Sequence, residues 1–104
     1  MRLRRKYLQM SKKYEIDFTS AFSKDLKKIK KRGYNIELLE SVVDKLQTGE
    51  QLEPKYKDHL LTGNWKGFRE CHIQPDWLLV YRIYDDKLLL VLTRTGTHSD
   101  LRLT

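Results

Sequence analysis

A single cysteine, Cys71, stands among the 104 residues, so no intramolecular disulfide can form. Its thiol is expected to act as a small buried hydrophobe in a reducing, cytoplasmic setting. Pro54 and Pro75 are the only prolines and there are five glycines, too few for a linker, and neither a repeat nor a low-complexity tract is visible. No segment approaches the length of a membrane span. The first nine residues carry Arg2, Arg4, Arg5 and Lys6 and lack the apolar stretch of a signal peptide, so no membrane association or secretion is expected. A glycine-rich phosphate loop and the CxxC and HxxxH spacings are also missing, which removes the common nucleotide-cradling and zinc motifs.

What is plentiful is positive charge. The chain holds 21 Lys and Arg against 14 Asp and Glu, a formal net charge of +7, with a pI near 9.6, and this balance points to a polyanionic partner, nucleic acid first. The charge is concentrated. Residues 1–33 contain twelve basic residues against three acids (Glu15, Asp17, Asp25), whereas the remainder is slightly acidic. A basic run of this kind serves either as a solvated helix face or as a phosphate-binding stripe. Residues 1–12 read as a basic extension, with Met10 a candidate natural start, ahead of one domain over 13–104. Apolar residues make up 39% of the chain, enough for one core at this length and too little for two.

Alternation predicts a first strand over Lys13–Phe18. Thr19 and Ser20 can cap a helix whose apolar face is Phe22, Leu26 and Ile29, with lysines around the rest and Gly33 as its stop. Asn35 can cap a second helix striped by Ile36, Leu39, Val42, Val43 and Leu46, ending at Gly49. Residues 50–64 read as an irregular loop containing His59. Three strands are then expected, Lys66–Ile73, Trp77–Tyr84 and Lys87–Thr95, joined by the short turns Gln74-Pro75-Asp76 and Asp85-Asp86. The predicted class is α+β: two N-terminal helices on a four-stranded, mostly antiparallel sheet, in the order β-α-α-β-β-β.

Strand counting gathers the polar residues. A two-residue Asp85-Asp86 turn pairs Tyr84 with Lys87 and sets Trp77 opposite Arg94, so His72, Asp76, Trp77, Arg94 and the Gly96-Thr97-His98 segment should share one rim. His59 enters from the loop, and topology leaves its position open. Three imidazoles with an aspartate and basic groups suit metal-free RNA cleavage. The ribose 2′-OH attacks the adjacent phosphate, one group takes its proton, and another protonates the leaving oxygen. A side chain with an ordinary pKa of about 6.5 can do either. Arg69, Arg82 and Arg94 are candidates to stabilise the phosphate, each equally suited to a structural ion pair, and Trp77 could stack on a base, although a tryptophan at a strand start is more often core. Zinc is disfavoured because Cys71 and His72, adjacent in a strand, point to opposite faces.

The stretches Tyr56-Lys57-Asp58-His59, Trp65-Lys66-Gly67-Phe68-Arg69-Glu70-Cys71-His72, Pro75-Asp76-Trp77 and Arg94-Thr95-Gly96-Thr97-His98 resemble the successive motifs of the RelE superfamily, specifically its YafQ branch. The resemblance runs from Lys13 to Leu101. It implies a RelE/ParE-like fold and a toxin of a type II toxin-antitoxin system that cleaves mRNA in the ribosomal A site, without cofactor or metal. By the same resemblance His59, His72, Asp76 and His98 are the catalytic set, with Trp77 in the site. The implied partners are a cognate antitoxin, the 70S ribosome with its mRNA, and operator DNA reached through the antitoxin complex. The family pattern has an aromatic residue where this chain has Arg102.

On this reading Lys27, Lys28 and Lys31 of the first helix would hold ribosomal RNA, and Arg94 and Arg69 the substrate phosphates. Two rival readings need no histidines. One is a toxin of the same fold acting on a protein target, as ParE-like relatives do, and the other is a basic nucleic-acid-binding module.

Overall fold

The computed structural model describes residues 12–102. The basic extension expected over residues 1–12 lies, apart from Lys12, outside the described residues. Strand β1 (Glu15–Phe18) leads through Thr19 into helix α1 (Ser20–Lys31), whose first turn is closed by the Thr19 hydroxyl accepting from the Phe22 N–H. Helix α2 (Ile36–Gln47) is capped by the Asn35 side chain accepting from the Glu37 N–H. Between the two helices the chain reverses at Gly33, whose φ of +83° is the left-handed conformation that glycine adopts without penalty.

The sheet has five strands rather than the four expected, in the order β1-β5-β4-β3-β2. β2 (His59–Leu60), β3 (Arg69–Gln74), β4 (Trp77–Tyr84) and β5 (Leu89–Gly96) run antiparallel, and β1 adds parallel to β5. The extra strand is β2, two residues long inside the segment read as irregular loop. His59 and Leu60 carry no alternating pattern of their own, and the pairing comes entirely from the β3 edge, where His59 lies opposite Glu70. A one-turn helix α3 (His98–Leu101) also follows β5, so the order is β-α-α-β-β-β-β-α.

The hairpin register also differs from the expectation. The β4–β5 connection is four residues long, with Leu88 in a left-handed conformation (φ 50°), and it pairs Tyr84 with Leu89. An irregularity at Thr93 then sets Arg94 opposite Val80 and Gly96 opposite Leu78. Trp77 and Arg94 are therefore not partners. The β3–β4 turn is tighter than expected, Gln74 pairing directly with Trp77 after a bulge at Ile73.

Two apolar layers follow from strand alternation. On the helix-covered face Phe22, Ile29, Leu39, Val42 and Leu46 pack on Cys71, Leu79, Tyr81, Leu90 and Leu92. Each large aliphatic side chain removed from water here contributes roughly 1.5–3 kcal/mol. On the other face Leu78, Val80 and Leu101 form a smaller cluster with Leu61, Trp65 and Phe68. Among the described residues no helix is long and apolar enough to cross a membrane.

Candidate active site

The polar rim forms where the β3–β4 turn meets the end of β5. Asp76 stands in the turn and His98 opens α3, 22 residues later. One oxygen of the Asp76 carboxylate accepts from the His98 backbone N–H at 2.9 Å and from His98 Nδ1 at 2.5 Å. Chiefly the backbone hydrogen bond, then the ring, holds the Asp76 carboxyl below its ordinary pKa. Both side chains remain open to solvent, 58% for His98 and 66% for Asp76, so a substrate can reach the free Nε2.

Helix α3 is too short to hold its own geometry and is fastened from outside. Thr97 and Asp100 form a capping box, the Thr97 hydroxyl accepting from Asp100 N–H and the Thr97 N–H donating to the Asp100 carboxylate. Arg32, at the end of α1, grips the same carboxylate through two hydrogen bonds of 2.6 and 3.1 Å. This fork, reinforced by the Thr97 N–H, drives the Asp100 carboxyl far below the usual carboxylate range. The end of the first helix thus helps position His98.

His72 comes from β3 and lies beside His98, the ring centroids 5.5 Å apart at 62°. Its Nδ1 sits 3.3 Å from the Pro75 carbonyl. Two residues back on the same strand face is Glu70, a carboxylate only 8% exposed. One Glu70 oxygen lies 4.0 Å from His72 Nε2 and 3.5 Å from His59 Nε2. His59 is brought there by β2, and its Nδ1 is 2.7 Å from the Lys57 carbonyl. The resulting row is His59, Glu70, His72, His98, Asp76. Every imidazole has an oxygen at Nδ1; Nε2 of His59 and of His72 looks toward Glu70, whereas the Asp76 bond at Nδ1 leaves Nε2 of His98 to exchange protons.

Glu70 was absent from the sequence-derived set. The alternation that puts Glu70 and His72 on one face was visible, but only pairing with β2 turns a strand carboxylate into a group between two histidines.

Other expected site residues lie elsewhere. Of the two readings of Trp77, the structure takes the core one and not base stacking: its indole is fully buried, donates from Nε1 to the Thr95 hydroxyl at 2.9 Å and meets Tyr34 edge-on at 5.1 Å. A strand-start tryptophan turned toward the helices presents no face to a ligand. Arg69 shares the helix-side face with Cys71, away from Glu70 and His72, and its guanidinium is paired with Asp58 at 3.1 Å. Asp58 also accepts from the Tyr81 hydroxyl at 2.6 Å. Arg94 is gripped by Asp25 of α1 at 2.6 and 3.1 Å, a carboxylate that also accepts from the Thr95 N–H. The two arginines are spent largely on intramolecular pairs. Arg82, by contrast, lies over the Phe68 and Tyr84 rings, 5.2 and 4.9 Å from their centroids, with no carboxylate partner among the described residues.

Lys27, Lys28 and Lys31 are exposed along α1. Arg102 follows α3 in a left-handed conformation (φ 44°) and donates to the Ser99 carbonyl. Cys71 is buried in the core, and desolvation pushes its thiol pKa far up. Among the described residues no three His, Cys, Asp or Glu side chains are disposed to hold a metal ion.

Residues 14–103 fit the family described as the bacterial toxin of type II toxin-antitoxin systems, YafQ. The mRNA interferase toxin YafQ of Escherichia coli K12 is 40% identical over 88 residues, covering 84% of this chain and 94% of that protein. A putative toxin YafQ of Haemophilus influenzae is 32% identical over 97 residues, covering 88% and 95%. Among solved structures, the toxin in the E. coli DinJ-YafQ toxin-antitoxin complex superposes with a TM-score of 0.78 at 39% identity, over 86% of this chain and 97% of that one. A metal-bound toxin from Helicobacter pylori superposes with a TM-score of 0.80 at 49% identity, over 85% and 98%. With the family pattern met over nearly its whole length, the chain belongs to the YafQ family of type II toxin-antitoxin toxins.

Proposed function

We propose that this protein is a ribosome-dependent endoribonuclease that cleaves mRNA in the A site by metal-free acid-base chemistry. The observation that carries the reading is the edge-on pair His72 and His98, their ring centroids 5.5 Å apart, flanked by the carboxylates of Glu70 and Asp76. Two imidazoles this close can both reach one phosphodiester laid against them. An unprotonated Nε2 removes the 2′-hydroxyl proton as that oxygen attacks phosphorus, and a protonated ring delivers a proton to the departing 5′ oxygen. A cyclic 2′,3′-phosphate and a 5′-hydroxyl end result. Each such proton transfer contributes about 10²–10⁴ in rate.

Asp76 holds a ring rather than reacts: it orients His98 through Nδ1, as the aspartate of a hydrolase triad orients its histidine. Glu70 stands on the Nε2 side of His59 and His72, at 3.5 and 4.0 Å, as a negative charge beside the two rings. With Arg69 and Arg94 engaged by Asp58 and Asp25, charge on the phosphate falls to the imidazolium and to any cation freed when RNA docks.

The E. coli relative carries the name mRNA interferase and has been solved with its antitoxin. This supports a cognate antitoxin for this chain; operator DNA reached through that complex is part of the same proposal. The lysines of α1 supply the long-range attraction for ribosomal RNA, which predicts binding that weakens steeply with salt.

The test is to map mRNA ends after incubation with the toxin, with and without ribosomes. Cuts confined to ribosome-bound message, abolished by a 2′-O-methyl group at the cut site and by His98→Ala, are expected. Equal cutting of naked RNA would remove the ribosome requirement. Cutting that survives 2′-O-methylation would remove the 2′-hydroxyl mechanism.

A further inference from the structure

Beside the histidine pair lies a cavity that the chemistry above does not use. It has a volume of about 690 Å³, and its wall includes His72 and His98. The wall also includes Leu38 of α2, the end of β3 with Pro75 of the β3–β4 turn, and Lys55, Tyr56 and Lys57 of the loop after α2. The composition is mixed in a particular way. Tyr56 and Leu38 offer an apolar surface, and Leu38 keeps 36% of its area exposed, although an isoleucine or leucine on a helix of this size is usually covered. Two ammonium groups lie over the Tyr56 ring, Lys55 Nζ 5.2 Å from its centre and Lys45 Nζ 5.5 Å, the latter also paired with Glu53; Lys55 and Lys57 bring positive charge to the cavity wall itself.

We propose that this cavity is the subsite for the nucleoside adjoining the scissile phosphate, with the Tyr56 ring as its stacking face and Lys55 and Lys57 beside its backbone. The inference rests on the ribonuclease reading above and adds the residues that select sequence around the cut. Three observations carry it. The cavity opens on the same two imidazoles that reach the phosphate, so a phosphodiester held there must direct one neighbouring nucleoside toward it. Its size is that of a site for a small organic group, and its aromatic and basic wall matches a base with its phosphate rather than an apolar ligand. Finally, the loop is tied to the chemistry, because the Lys57 carbonyl that accepts from His59 Nδ1 at 2.7 Å belongs to a residue held in a left-handed conformation (φ 49°). A base seated on Tyr56 secures that conformation, and so the tautomer and direction of His59.

The test compares wild type, Tyr56→Phe and Tyr56→Leu on ribosomes programmed with messages that differ only at the nucleotides flanking the cut. Tyr56→Phe keeps the ring and is expected to cut within about twofold of wild type, whereas Tyr56→Leu is expected to lose about tenfold or more, the worth of one base stacked on an aromatic ring. The distribution of cuts should also flatten across flanking nucleotides, which a loss of folded protein alone would not produce. A second measurement uses message that is 2′-O-methylated at the cut site and carries 4-thiouridine next to it. Irradiation of the bound complex should cross-link the peptide containing residues 55–57. Tyr56→Leu with wild-type rate and unchanged cut distribution, or cross-links only to other peptides, would overturn the subsite while leaving the nuclease intact. If wild type cuts none of the messages, the nuclease reading and the subsite fall together.

Discussion

One oxygen of Asp76 accepts both the backbone and the ring hydrogen bond of His98, at 2.9 and 2.5 Å, across a gap that no local sequence signal spans. The bond fixes which nitrogen of His98 faces the substrate. Asp76→Ala should therefore lower kcat by about 10²-fold, within the range of a general acid-base function removed, and leave KM for the ribosome within about twofold. Because Asp76 is exposed, the variant should melt with the wild type. Single-turnover cleavage on isolated ribosome complexes, with a thermal scan beside it, checks both halves.

Glu70→Gln keeps the shape of the buried side chain and removes its charge. Without a negative charge between His59 and His72 a rate loss of about tenfold or more is expected. Single-turnover cleavage at the wild-type rate would count against Glu70 in the site.

Asp100 is held far below the usual carboxylate pKa by Arg32. A depressed folded-state pKa contributes stability above the unfolded value, near 3.9, and loses it as pH falls below about 4. Asp100→Asn should accordingly lower the urea midpoint at neutral pH and flatten its further decline in acid. The effect should be modest, since the pair is partly exposed and screened by salt. It should also slow cleavage, because the same carboxylate fastens the helix that carries His98.

Trp77 lies wholly in the core. Trp77→Ala is expected to cost about 3–5 kcal/mol from poorer packing and the cavity it leaves, and Trp77→Phe much less. Activity per folded molecule of Trp77→Phe should stay close to wild type. If folded Trp77→Phe binds substrate markedly less well, the indole reaches RNA after all.

Replacing Lys27, Lys28 and Lys31 together by Ala should weaken ribosome binding and reduce the slope of log affinity against log salt by about one for each phosphate no longer neutralised. Turnover of bound message should not change. A salt titration of the binding constant reads the slope directly.

Much of the frame was legible from local pattern. The spacing of Phe22 and Ile29, the caps at Thr19 and Asn35 and the stop at Gly33 define α1 and α2 without reference to anything distant. β4 reads as a strand from its apolar run and the turn before it. The motifs shared with the YafQ pattern singled out the three histidines and Asp76, and the structure brings these to one rim. Less legible was whatever depends on pairing. β2 exists because the β3 edge accepts His59 and Leu60. The four-residue turn ending at Leu88 and the irregularity at Thr93 moved Arg94 from Trp77 to Val80, and alternation carries no information about either.

The sequence by itself determined the first two helices, the basic first third, the cast of histidines and the family. Each is written in residue identity or in spacing shorter than one element. Tertiary structure alone decided that Glu70 stands between His59 and His72, which of its two readings Trp77 follows, and that Asp25 and Asp58 engage Arg94 and Arg69. Those outcomes depend on which strand faces and which edges meet, and a one-residue change of register or face reassigns a side chain from solvent to core.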